Sequence, residues 1–147
     1  MKRLVFMLAV VLSCALSLCM VKQADAYTFT TLNVPGASGT TAYGINDTGG
    51  VAGYYWDGTG YHGYTYDGST YSTLNVPGAS GTTAFGINDS GGVSGDYYDG
   101  TGVNGFTYDG STYSTLNVPG ASYTTAYGIN DTGGVAGYYW DGTGYHG

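Results

Sequence analysis

Thr31-Leu32-Asn33-Val34-Pro35-Gly36-Ala37-Ser38 stands again at Thr73–Ser80 and at Thr115–Ser122. Gly44-Ile45-Asn46-Asp47 likewise returns at Gly86–Asp89 and at Gly128–Asp131. The step is 42 residues each time, and residues 31–63 differ from 115–147 only at Gly39 against Tyr123. A fixed period of this size marks one supersecondary module per repeat, stabilised by stacking on its neighbours.

Within one repeat, taken as 38–79, turn chemistry punctuates short β-branched and aromatic runs. Thr40–Asn46 alternates small and larger residues and reads as a strand. Asp47-Thr48-Gly49-Gly50 is a turn, and Val51–Trp56 reads as a second strand. Asp57-Gly58-Thr59-Gly60 turns the chain into a third strand, Tyr61–Tyr66. Asp67-Gly68 leads into a fourth, Ser69–Asn75, and Val76–Ser80 links to the next repeat. Asp-Gly and Gly accept the positive φ that tight hairpins need. No stretch shows a helical period flanked by caps. The reading is an all-β fold of three four-stranded antiparallel repeats, each a β-propeller-like blade. A β-solenoid or stacked β-hairpins is the alternative. The repeats run about 38–79, 80–121 and 122–147, the last stopping inside its third strand, while Tyr27–Asn33 matches a fourth strand. Closed propellers have about four to eight blades. The reading therefore expects an incomplete ring, or one completed by self-association, with Tyr27–Asn33 pairing on a last-blade edge.

Residues 1–26 have a different character. Met1-Lys2-Arg3 precedes an apolar stretch, Leu4–Val21, and Ala24-Asp25-Ala26 offers a small-x-small cleavage site. This is the pattern of a secretory signal peptide, so 27–147 is expected to be secreted, periplasmic or at the cell surface. Every Lys and Arg (Lys2, Arg3, Lys22) and both cysteines (Cys14, Cys19) fall in that leader. Residues 27–147 carry nine aspartates, no Glu and a formal charge of −9 with His neutral. Binding to nucleic acid is disfavoured, because phosphate contacts need Lys and Arg. Attraction to anionic lipid is disfavoured likewise. Disulfide and thiol chemistry are excluded from this part. All 28 glycines and 17 tyrosines lie there too. Disordered chains are poor in aromatics, so the tyrosines argue for packed strands.

Comparing the repeats tests their faces. Ala52, Tyr54 and Trp56 alternate along the second strand and become Ser94, Asp96 and Tyr98, whereas Val51, Gly53 and Tyr55 recur as Val93, Gly95 and Tyr97. An unpaired buried carboxylate costs several kcal/mol. The Tyr54–Trp56 face is therefore expected to be partly exposed, at least in the second repeat.

The candidate binding residues are the aromatic sets Tyr54, Trp56, Tyr61 and Tyr138, Trp140, Tyr145. Flat rings near Asp and Asn can stack on sugar rings and bond their hydroxyls, although propellers also pack blades through aromatics. No catalytic constellation is expected. A catalytic His needs a nucleophile or a paired acid. Ser and Thr abound but no Gly-x-Ser-x-Gly elbow appears, so His62 and His146 read as strand histidines bonding their neighbours. Asp57, Asp99, Asp141, Asp67 and Asp109 sit in turns where Asp bonds its own backbone. No metal site is assigned and no cofactor is expected. Asn46-Asp47-Thr48-Gly49-Gly50 supplies only part of a calcium loop. Asn46-Asp47-Thr48, Asn88-Asp89-Ser90 and Asn130-Asp131-Thr132 also match the N-glycosylation triplet.

The pattern Gly-Ile-Asn-Asp-x-Gly-x-Val-x-Gly-Tyr at Gly44–Tyr54, followed by His62-Gly63-Tyr64, Asp67-Gly68 and Asn75-Val76-Pro77-Gly78-Ala79, resembles the bacterial extracellular HAF repeat. Asn104-Gly105-Phe106 and His146-Gly147 fill the place of the His-Ala-Phe triplet less closely. The resemblance covers essentially all of 27–147. It implies an exported β-propeller-like protein and carries over neither catalytic residues nor a ligand. The expected function is a non-enzymatic extracellular or surface repeat protein, for binding or as a structural module. A carbohydrate-binding or carbohydrate-active propeller is the alternative.

Overall fold

Eleven strands and no helix make up the residues that the computed structural model describes, 27–147. The signal-peptide reading of 1–26 lies outside the described residues. Thr31–Gly147 forms one compact unit. Repeat 1 holds β1 (Gly39–Ile45), β2 (Val51–Trp56), β3 (Tyr61–Tyr66) and β4 (Tyr71–Leu74). Repeat 2 holds β5 (Gly81–Ile87), β6 (Val93–Tyr98), β7 (Val103–Tyr108) and β8 (Tyr113–Leu116). Repeat 3 holds β9 (Tyr123–Ile129), β10 (Val135–Trp140) and β11 (Tyr145–His146).

β1 to β4 form an antiparallel meander in chain order. The other seven strands form a second sheet, in which repeats 2 and 3 are joined by one parallel pair, Val103↔Tyr123. The all-β expectation is met by these two sheets, and no closed barrel forms among the described residues. The turns follow the expected chemistry. Asp67 Oδ1 accepts from Ser69 N (2.9 Å), Ser69 Oγ (2.9 Å) and Thr70 N (2.8 Å), while Gly68 takes φ +98°, a conformation that side chains disfavour. Tyr27–Asn33 carries no strand. The residues after it take the conformation of the links between repeats: Val34 N donates to Thr40 Oγ1 at 3.0 Å, as Val76 N does to Thr82 Oγ1.

Hydrophobic burial gathers where each link meets the repeat that follows it. Ala52, Leu74 and Val76 of repeat 1 and its link pack with Ala84, Val93 and Phe106 of repeat 2. A second cluster sets Val34 against Val51 and Tyr64. Phe106 lies over Gly95, where an added Cβ would stand 2.7 Å from its Cε1, and Tyr64 lies over Gly53 in the same way. The glycine is the recess that receives the ring.

The Gly-Ile-Asn-Asp segments bind the array along its length. Asn46 Nδ2 donates to Asn88 O at 2.9 Å, and Asn88 Nδ2 to Asn130 O at 3.0 Å. Asp47 N donates to Asp89 Oδ1 and Asp89 N to Asp131 Oδ1, both at 2.9 Å. Asn46 and Asn88 thus each commit an amide N–H to the neighbouring repeat. The close approach requires Gly44: a Cβ there would meet Phe85 O at 2.5 Å.

Candidate binding site: an aromatic track

Each inner strand carries a β-bulge. The register of β1 on β2 skips from Ala42 to Gly44, that of β5 on β6 from Ala84 to Gly86, and that of β9 on β10 slips beside Ala126 and Gly128. A bulge re-aims a side chain. The extra residues are Tyr43, Phe85 and Tyr127, and their rings form a column, with centroids 5.0 Å apart from Tyr43 to Phe85 and 4.7 Å from Phe85 to Tyr127.

The sequence-selected aromatics meet this column at both ends. In repeat 1, Trp56 lies opposite Tyr61 across the hairpin, with centroids 5.0 Å apart, and Tyr61 meets Tyr54 edge-on at 5.5 Å. Tyr54 stacks on Tyr43 at 5.7 Å. In repeat 3, Trp140 to Tyr145 is 4.9 Å, Tyr145 to Tyr138 is 5.4 Å, and Tyr138 to Tyr127 is 5.7 Å. Nine rings therefore run without a break from Trp56 to Trp140. Trp56, Tyr61, Tyr43, Tyr127 and Tyr145 are exposed, and Tyr54, Phe85 and Tyr138 are half-buried. Each triad that the sequence singled out is assembled. Tyr43, Phe85 and Tyr127, which join the triads, were not singled out. The signal available for them was an aromatic preceding the Gly-Ile-Asn-Asp segment in every repeat.

Asp96 takes the place of Tyr54 and Tyr138 in repeat 2. It is half-buried rather than open, and its carboxylate bridges two repeats. Thr83 Oγ1 donates to Oδ1, and Thr125 Oγ1 donates to Oδ2 at 2.9 Å. Burial pushes its carboxyl above the ordinary range, and the two threonine hydroxyls oppose that shift. The expectation of a partly exposed face is thus met in a specific form, with a polar bridge offsetting the desolvation. Tyr123 stacks on Tyr138 at 5.6 Å, with the hydroxyls 3.2 Å apart.

The histidines sit behind the track. His62 Nδ1 lies 2.9 Å from Asn75 Oδ1, and Nε2 lies 3.2 Å from Asp57 Oδ2. His146 repeats the contact with Asp141 at 3.2 Å. In repeat 2, Asn104 Nδ2 donates to Asp99 Oδ2 at 3.0 Å. An uncharged amide can thus replace the imidazole, which is what a hydrogen-bonding role permits and a proton-transfer role does not. Asp57 and Asp141 are lowered to about 2, chiefly by the hydroxyl bonds from Thr59 and Thr143. Both are therefore anionic at neutral pH and ill-suited to act as acids.

Among the described residues no group of three or more His, Cys, Asp or Glu side chains could hold a metal ion. In the partial calcium loop, Asn46 Oδ1 accepts from Thr48 Oγ1 at 2.9 Å and Gly50 N at 2.6 Å. No family model matches the chain. No curated protein matches it either.

Proposed function

We propose that the chain is an exported, non-enzymatic repeat protein of the HAF type, whose propeller-like repeats present the aromatic track to a neutral polysaccharide. The unbroken run of nine rings carries this reading. Aromatic faces with neighbouring amides and carboxylates suit a ligand that is apolar on its ring faces and hydroxylated at its edges. The lack of Lys and Arg in 27–147 argues against anionic ligands. The expected location is outside the cytoplasm, on the strength of the leader-like residues 1–26.

A second reading, a purely structural repeat, is favoured by the half-burial of Tyr54, Phe85 and Tyr138. A neutral glycan array, followed by tryptophan-fluorescence titration of the hits, separates the two. Binding should fall at least about tenfold in Trp56→Ala and in Tyr127→Ala, the loss of roughly 1.4 kcal/mol of stacking. A blank array at high protein concentration would overturn the binding reading. Polysaccharide turnover abolished by one Asp→Asn change would overturn the non-enzymatic one.

A further inference from the structure

The contacts between repeats have a direction. Repeat 1 donates Asn46 Nδ2 and Asp47 N to repeat 2, and repeat 2 donates Asn88 Nδ2 and Asp89 N to repeat 3. Repeat 3 presents the same donors, Asn130 Nδ2 and Asp131 N, and among the described residues they make no such bond. Repeat 1 presents the matching acceptors, Asn46 O and Asp47 Oδ1.

Steric recesses show the same asymmetry. A Cβ on Gly44 would meet Phe85 O at 2.5 Å, and one on Gly86 would meet Tyr127 O at 2.8 Å; around Gly128 nothing lies within 4 Å. Beside Gly128 is a shallow cavity of about 440 Å³, lined by Ile129, Asn130, Gly134, Val135 and Ala136. The opposite end of the array shows Ile45, which is 72% exposed, whereas its equivalent Ile87 packs against the core.

The single difference between repeats 1 and 3 over the stretch both contain, Gly39 against Tyr123, fits this pattern. At the first junction, the large Tyr61 faces Gly81, whose Cβ position is 3.8 Å from Tyr61 Cβ. At the second junction the volumes are exchanged: the smaller Val103 pairs with Tyr123. The outer faces hold Tyr145 on repeat 3 and Gly39 on repeat 1, a large-to-small pair of the first kind. Nothing lies within 4 Å of a Cβ on Gly39.

We infer that repeat 3 docks on repeat 1 of a second copy of this chain, head to tail, continuing the established inter-repeat interface in register. Asn130 Nδ2 then donates to Asn46 O of that copy, Asp131 N donates to its Asp47 Oδ1, and Tyr145 covers its Gly39. The ring column passes from Tyr127 to the second copy's Tyr43, so the aromatic track is completed across the contact. The interface is heterologous, the kind that closes into a ring or propagates. The inference does not depend on the glycan reading, since its test uses no ligand.

Light scattering after size exclusion of the purified protein is the measurement. The native chain should elute at a mass above one chain. Gly128→Val and Gly39→Tyr each add a side chain where the single chain has open space at an unstrained φ. Both should retain the native circular dichroism and fall to one-chain mass. Adding Tyr145→Val to Gly39→Tyr recreates the Val103–Tyr123 combination and should restore the assembled mass. A native chain at one-chain mass across a wide concentration range overturns the inference. So does an assembled mass unmoved by Gly128→Val and Gly39→Tyr, or failure of Tyr145→Val to restore it.

Discussion

Repeats 2 and 3 share the plan of their first two strands and the turns that follow them, yet their burial differs. Val93, which packs with Phe106 of β7, is fully buried, and its equivalent Val135, with no counterpart of Phe106 among the described residues, is 39% exposed. The strands are specified within a repeat, by Asp-Gly turns and alternating faces. Burial is supplied by the preceding link, which brings Leu74 and Val76 onto repeat 2, and by the third-strand aromatic of the repeat itself, Phe106. The core of a repeat is thus shared with the link that precedes it, Val34 for Val51 and Tyr64, and Val76 for Val93 and Phe106.

The largest test of that contrast is Phe106→Ala. Phe106 is fully buried at the junction of repeats 1 and 2, and its loss should cost about 3–5 kcal/mol, read from urea melts. A change below about 1 kcal/mol would mean that the junction is not where the stability lies. Gly86→Val comes next. Its Cβ would stand 2.6 Å from Ser94 Oγ and 2.8 Å from Tyr127 O, and such overpacking costs about 1–3 kcal/mol. The same change at Gly128 should stay within about 0.5 kcal/mol in the single chain. Equal costs at 86 and 128 would erase the distinction between covered and open faces.

A third test compares repeats 1 and 2. Tyr64 and Phe106 fill equivalent recesses, but the Tyr64 hydroxyl is buried without a partner. Burial accordingly pushes its phenol above the ordinary value. An unsatisfied buried hydroxyl costs about 1–3 kcal/mol, so Tyr64→Phe should raise the unfolding midpoint. A fall would indicate a bond that the hydroxyl makes in solution.

The smallest effect concerns Asp96. Its native pKa lies above the unfolded value of 3.8, so the folded state holds its proton more tightly. Its influence is neutral well below pH 3.8 and becomes destabilising as pH rises through the native value. Asp96→Asn should therefore raise Tm at pH 7 and converge with the native protein in acid. A Tm gap that widens as pH falls would reverse the sign and refute the assignment.

What the sequence disclosed was whatever depends on near neighbours. β2 and β3 were legible to the residue, because Asp57, Gly58 and Gly60 bound them with local chemistry. β4 is shorter than expected: the amides of Ser69 and Thr70 are already engaged by Asp67 Oδ1 and cannot join a ladder. The aromatic triads were legible from cross-hairpin pairing, Trp56 with Tyr61. Tyr43, Phe85 and Tyr127 were not, because a one-residue bulge breaks the period of two on which face assignment rests. Asn46 and Asp47 were read as a turn, which they form, but their reach into the next repeat is a long-range contact. Tyr27–Asn33 has a fourth strand's composition. β4 and β8 form because β3 and β7 of their own repeats offer an edge, and among the described residues no third strand precedes 27–33.

The exchange of volume between Tyr61–Gly81 and Val103–Tyr123 amounts to an address. Near-identical repeats invite a chain to fold one unit out of step, since every turn and strand would still find its chemistry. Slippage that set Tyr61 against Tyr123 would crowd two rings into room made for one. Slippage that set Val103 against Gly81 would leave a void. Two side-chain pairs thus number modules that are otherwise interchangeable, and spelling errors in that numbering are corrected by packing alone.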